Sequence, residues 1–270
     1  MSAAPRRKPA PKKKKRKTRK YRLQPWWIAA FLGLVLLVQL GISLAPYLKY
    51  RRNLEHGAAV PAGYRHFVVD ISHYNPREVV WDSLRVMLRP GGITARHLHE
   101  AKEVYPPSHV VMKATEGEKS RDAHFAQWWE QAGEAGISRG AYHFYRTSKD
   151  PLRQAANYIR TVQLTHRDLA PVLDIETTHS GLDREKLNRD LLVWLQEIEK
   201  HYGRRPIVYT GDSFAQDWLL PEIKEHYPLW IARYNTQPPR CKGWKYWQFT
   251  DGAVIYGIKG LVDLSVICEK

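Results

Sequence analysis

The sequence predicts an α/β fold, a closed barrel preceded by a basic tail and one transmembrane helix. Three observations carry that expectation. Short apolar runs alternate with longer amphipathic stretches, the pattern of parallel strands covered by helices. Eight such runs occur, which suits a closed sheet, and no Gly-x-Gly-x-x-Gly turn follows the first one to suggest an open dinucleotide-binding sheet. Acidic residues stand at or just past the ends of four runs, where barrel strands present their functional groups: Asp70, Glu116, Asp174 with Glu176, and Asp263.

Taken in order, residues 1–24 form a basic tail. Twelve Lys or Arg and no acid fall within residues 1–22, so most of the net charge of +16 belongs to the tail. From Gly63 onward the chain is only about +2, and nucleic acid is not expected as a partner. Residues 25–48 are the transmembrane helix, with about 22 uncharged residues to cross a hydrocarbon core of about 30 Å. Trp26, Trp27 and Tyr47 stand near its ends, where aromatic rings favour the interface. Basic charge is far greater before it than after it, which keeps the N-terminus cytoplasmic and exports the rest. A cleaved signal peptide has a shorter apolar core, about 7–15 residues, and Pro46 directly follows the small-residue site Ser43-Leu44-Ala45.

Residues 49–63 read as a linker, and residues 64–270 as one domain large enough for a full core. The strand candidates are 66–71, 109–114, 138–145, 170–176, 206–210, 228–232, 244–249 and 261–264. Helical spacing marks 124–135, 152–164 and 184–201, the last with Asp183 as N-cap and Gly203 just past its end. Cys241 and Cys268 suit either a disulfide or two free core thiols. The scattered histidines match no zinc pattern, so neither a metal nor another cofactor is expected.

Asp174-Ile175-Glu176 ends the apolar run Ala170-Pro171-Val172-Leu173. Residues i and i+2 of a strand share one face, so two carboxyls project side by side. Charges that close do not both ionise readily, and one pKa rises. A proton donor beside a negative stabiliser is what glycosidic bond cleavage requires. Structural roles are the alternative for each acid: an ion pair for Asp174 and Glu176, a turn or cap for Asp70, a plain strand end for Asp263.

Eight segments in order resemble the lysozymes (N-acetylmuramidases) of glycoside hydrolase family 25. They are Val69-Asp70-Ile71-Ser72-His73-Tyr74, Val111-Met112-Lys113-Ala114-Thr115-Glu116-Gly117, Arg139-Gly140-Ala141-Tyr142-His143-Phe144 and Pro171-Val172-Leu173-Asp174-Ile175-Glu176, followed by Pro206-Ile207-Val208-Tyr209-Thr210, Pro228-Leu229-Trp230-Ile231-Ala232-Arg233-Tyr234, Trp247-Gln248-Phe249-Thr250 and Gly260-Leu261-Val262-Asp263. The resemblance implies an irregular TIM-like (β/α)5(β)3 barrel that cleaves the bond after N-acetylmuramic acid in peptidoglycan. It places the catalytic acid at Glu176 and its partner at Asp174, which orients the substrate's own 2-acetamido group as nucleophile. Asp70 and Asp263 match further acids on the floor. Lys113, His143 and Gln248 are expected as polar sugar contacts, and Tyr142, Tyr209, Trp230, Tyr234 and Trp247 as aromatic ones. A monomer on a bacterial inner membrane follows, its catalytic domain in the periplasm or outside the cell.

Two departures from the family pattern stand out. The stretch between Trp81 and His109 is longer than usual and is expected to form a loop and a helix near the groove rim, and Ser265 stands where Asn is common. Two other functions fit the same pattern in part: a wall-binding protein without turnover, and a chitinase-type glycosidase on a similar barrel. The second lacks its usual run of spaced acids, since positions 170 and 172 are Ala and Val.

Overall fold

The computed structural model describes residues 25–268, and the basic tail expected over 1–24 lies outside them. The chain divides into two units, Met1–Tyr47 and Leu48–Lys270. The first contains most of α1 (Pro25–His56), whose apolar side chains are exposed, as a lipid-facing helix requires. It is long and apolar enough to span a bilayer, with mean hydropathy 2.4. The helix runs past residue 48, and its last turns belong to the second unit. The expected linker is therefore partly helical: no breaker intervenes before Gly57, where φ reaches +72°. An Arg51–Glu55 pair one turn apart supports these turns.

The second unit is built around β1 (Phe67–Ile71), and the crossover that follows carries β2 (Val86–Arg89), β3 (Ile93–Thr94) and β4 (Glu103–Tyr105). Then come β5 (His109–Glu116), its hairpin partner β6 (Ser120–Arg121), α2 (Phe125–Glu134), β7 (Arg139–Phe144), α3 (Pro151–Thr161), β8 (Val172–Asp174) and α4 (Arg184–Tyr202). The chain closes with β9 (Ile207–Gly211), α5 (Asp212–Asp217), α6 (Pro221–Lys224), β10 (Leu229–Ala232), β11 (Trp244–Ala253) and β12 (Val262–Ile267).

Eight strands form the barrel in the order β1-β5-β7-β8-β9-β10-β11-β12, and β12 pairs back to β1. Neighbours are parallel except at β12, which runs antiparallel to both β11 and β1. Helices α2 to α6 cover the middle crossovers. The first crossover has no α-helix: β3-β2-β4 form a small antiparallel sheet, with two 3-10 turns at Trp81–Ser83 and Leu98–Glu100. The helix and loop expected there are thus corrected to a sheet. Val86, Met87 and Leu88 are three buried residues in a row, as in a strand covered on both faces.

Strand alternation splits the buried residues into two cores. Val68, Val111, Val172, Ile207, Tyr209, Trp230 and Tyr246 fill the barrel interior, and a larger cluster packs between strands and helices. Caps fall where local chemistry demands them. Asp183 accepts the Lys186 amide at 2.9 Å, and Gly203 takes the left-handed conformation at φ +63°. Cys241 and Cys268 are free thiols.

Candidate active site

On each barrel strand, positions two apart point inward, and the upper inward positions are polar. They are Asp70 on β1, Lys113 on β5, Tyr142 on β7, Asp174 on β8, Tyr209 on β9, Gln248 on β11 and Asp263 on β12. Except for Gln248, which lies beneath, these residues line a cavity of about 190 Å³, together with Glu176 and Trp230. Asp174 is fixed on both sides: its carbonyl accepts the Tyr145 amide at 2.8 Å, and the next amide, of Ile175, donates to the Tyr209 carbonyl at 3.0 Å. Glu176 lies two residues beyond, past the end of β8 and open to solvent.

The floor is a hydrogen-bonded acid pair. Asp70 and Asp263 face each other across the β1–β12 ladder. The fully buried Gln248 amide donates to both Asp70 oxygens, at 3.2 and 3.1 Å, and to Asp263 at 3.3 Å, and its carbonyl accepts the Tyr209 hydroxyl at 2.7 Å. Burial first, and then the charge of Asp263, raises the Asp70 carboxyl well above the ordinary range. Burial and the charge of Asp251 raise Asp263 to about 7. Two opposed carboxyls in one dry site share a proton, and the pair titrates as a unit.

Asp174 is buried, and among the described residues its Oδ1 has no hydrogen-bond partner. Burial, then the charges of Glu176 and Asp70, hold its carboxyl well above the ordinary value. Glu176 is raised as well: crowding by the cavity wall strips hydration from its carboxyl, against smaller opposing effects of the Tyr209 hydroxyl and Lys113. A buried unpartnered acceptor beside a solvent-open carboxyl can take an N–H from a ligand while its neighbour exchanges protons with water.

Lys113 forms the opposite wall, its Nζ 2.6 Å from Glu116 and 4.9 Å from the centroid of the Phe144 ring. Burial pulls Glu116 up, but hydrogen bonds from Lys113 and Arg146 outweigh it and keep the carboxyl below its ordinary value. Trp230 stands edge-on to Tyr209, and its indole N–H donates to Ser265 at 2.9 Å. The serine at the departing position thus holds an aromatic wall in place.

Nine of the twelve residues singled out from the sequence meet here: Asp70, Lys113, Tyr142, Asp174, Glu176, Tyr209, Trp230, Gln248 and Asp263. Tyr234 lies just beyond β10 in a side recess that it shares with Glu176 and Tyr209. His143 and Trp247 face the other way, so the expectation that they touch sugar is corrected. His143 is fully buried, bonded to Thr115 at 2.7 Å and Gln154 at 3.2 Å and stacked on Trp194. Trp247 is buried against Tyr64, Trp244 and Phe249, and its indole donates to the Arg233 carbonyl. The reason is alternation: Tyr142 and Gln248 already point inward, and their sequence neighbours cannot. The same rule would have found Phe144, which lines the cavity two residues after Tyr142. Ser72 and Tyr74 also line it, and Tyr74 is 85% exposed at the rim. The stretch 82–108 contributes no lining residue. No group of three or more His, Cys, Asp or Glu among the described residues is placed to hold a metal ion.

Comparison with known proteins agrees with this geometry. Residues 69–258 match the family model of the glycosyl hydrolases family 25. The uncharacterized protein YegX of Escherichia coli K12 is 32% identical over 219 residues, 80% of this chain and 75% of that one. Lysozyme M1 of Streptomyces globisporus is 29% identical over 173 residues, 58% of each chain. The solved structure of a family 25 glycosyl hydrolase from Bacillus anthracis shares the fold, with a TM-score of 0.63 at 24% identity over 80% of this chain and 94% of that one.

Proposed function

This protein belongs to the glycosyl hydrolases of family 25, and on that premise we propose that it is a membrane-anchored N-acetylmuramidase. It cleaves the β-1,4 bond between N-acetylmuramic acid and N-acetylglucosamine in peptidoglycan, with retention and with help from the substrate. One observation supports the assignment of roles: a buried Asp174 oxygen with no hydrogen-bond partner among the described residues, two residues from a solvent-open Glu176 whose pKa is raised.

In this reading Glu176 protonates the leaving glycosidic oxygen. Asp174 accepts the N–H of the 2-acetamido group and turns its carbonyl oxygen toward the anomeric carbon. Attack by that oxygen expels the leaving sugar and forms a cyclic intermediate, with charge stabilised by the Asp174 carboxylate. Glu176, now ionised, takes a proton from the water that opens the ring, and the second inversion restores the configuration. Asp70, Asp263 and Gln248 hold a negative, hydrogen-bonded floor under the sugar. Lys113, Tyr142, Tyr209, Trp230 and Tyr234 supply polar and aromatic walls suited to sugar faces.

In this reading the enzyme is a single-pass monomer on a bacterial inner membrane, which the long apolar stretch of α1 supports. The basic tail stays in the cytoplasm, and the barrel faces the wall in the periplasm or beyond. The test is digestion of purified peptidoglycan by the full chain and by Glu176→Gln, with mass spectrometry of the products. Reducing N-acetylmuramic acid ends are expected from the native chain, with the variant slower by about 10²–10⁴. Binding without cleavage by either protein would leave a wall-binding module instead.

A further inference from the structure

The last turns of α1, from Leu48 on, are built into the barrel domain. Lys49 Nζ contacts both oxygens of Asp251, at 3.1 and 2.9 Å. Arg89, in the inserted sheet, donates to the His56 carbonyl, and Thr94 Oγ1 accepts the Ala58 amide at 2.8 Å. Ala59 then bridges to Ile93. Asn53 packs so closely on Gly252 that a Cβ there would lie 2.1 Å from its amide nitrogen. These turns are thus a fixed wall, held on one side by Asp251 and Gly252 of β11 and on the other by the inserted sheet.

That wall borders the substrate groove. Lys49, Arg52, Asn53 and His56 share one helix face by spacing and line a cavity of about 340 Å³ with Tyr234, Asn235 and Asp251, whose carboxylate neutralises Lys49 and leaves Arg52 as the net positive charge. Tyr234 also lines the recess beside Glu176, and Glu176 and Tyr209 are shared between that recess and the central cavity. The three cavities adjoin in series through these shared side chains, from the acid-rich floor to the end that holds Arg52. Arg52 has no carboxylate partner among the described residues, while Arg51 on another face is paired with Glu55.

We propose that the Arg52 end is a binding site for the diphosphate of a polyprenyl-linked glycan strand, so that the enzyme cuts strands still attached to their lipid carrier. The inference rests on the muramidase and anchor readings above. The planar fork of the Arg52 guanidinium matches two phosphate oxygens at once, a charge-assisted fit that a neutral sugar hydroxyl does not offer. Carboxylates of stem peptides recur along the whole strand, but only the lipid-linked end carries its anion at the membrane. Lys49 is the first charged residue after the uncharged stretch, so in the anchor reading the face that carries Arg52 follows the span directly in the chain.

The test uses the full chain in zwitterionic bilayers, with polyprenyl-diphosphate-linked glycan oligomers and the same oligomers after release of the diphosphate. The native chain is expected to cut linked strands with a kcat/KM about tenfold higher, the scale of one charge-assisted contact. Arg52→Ala is expected to bring the linked-strand rate down to the free-strand rate, and Arg51→Ala to keep the preference. Equal rates on both substrates, a preference that survives Arg52→Ala, or one seen only in anionic bilayers would overturn the proposal. Failure to cut either substrate would overturn the muramidase reading itself.

Discussion

Replacing Asp263 with Asn should make the fold more stable at alkaline pH while impairing the enzyme. The carboxyl is largely buried, faces Asp70 across the ladder and feels Asp251 as well. A carboxyl whose pKa is raised by folding favours the folded state only while it holds its proton. Its contribution is full below the unfolded value of 3.8 and is lost as pH rises through about 7. Fully expressed, that difference is worth about 4 kcal/mol at pH 8. Asp70 shares the same proton and Asp263 is not wholly enclosed, so about half, roughly 2 kcal/mol, is the realistic gain for the variant. At pH 5 the buried acid is protonated and the advantage falls below about 1 kcal/mol. For a domain of this size 1 kcal/mol moves Tm by about 2–4 °C. Thermal unfolding of both proteins should therefore show the variant ahead by about 4–8 °C at pH 8 and by less than half of that at pH 5. An advantage that is the same at both pH values, or none at all, refutes the picture of a strained acid pair. Stability gained by removing a functional charge is the expected trade at an active site.

Gln248→Met leaves the Tyr209 hydroxyl and both floor acids without their shared partner, a loss of about 2–3 kcal/mol that should lower both Tm and kcat/KM. An unchanged Tm would show that Gln248 only touches sugar. His143 is held neutral by burial, its pKa lowered from 6.5 to about 4. The fold therefore loses stability as pH falls through this window, by up to about 3 kcal/mol. His143→Gln should flatten that acid-side loss in thermal unfolding while glycan digestion stays within about threefold, and a hundredfold loss of activity at unchanged Tm would return His143 to the site. Asp174→Asn should slow peptidoglycan digestion by about 10²–10⁴ with binding retained, as expected for a group acting on the transition state, and a variant equally active on substrates with and without the 2-acetamido group would refute substrate assistance.

Much of the fold was legible because its signals are local. The candidate strands fall within a few residues of the observed ones, since each apolar run is bounded by its own turn chemistry. The acids at strand ends also came from local pattern, and Asp70, Asp174 and Asp263 do converge, with Glu176 at the mouth. Less legible was the region between Trp81 and His109, where polar residues interleaved with short apolar pairs suit a helix and a loop as well as a small sheet. Only packing of Leu84, Val86 and Leu88 into the main core decides between them. The segment after residue 48 misled for a similar reason: its small, polar composition reads as a linker, and its order comes from Asp251, Gly252 and Thr94, distant partners in the chain.

The sequence by itself determined the αβ alternation, the helix caps at Asp183 and Gly203, the apolar helix and the spacing that puts Asp174 and Glu176 on one side. Each depends on the backbone geometry of a few consecutive residues. Tertiary structure alone decided which side of each strand looks into the barrel, and with it the exclusion of His143 and Trp247. It also decided that Asp70 and Asp263 share a floor, that Gln248 joins them to Tyr209, and that the end of α1 borders the groove. Period-two spacing defines two faces but cannot label them inside and outside. Closure of β12 onto β1 is the event that does so.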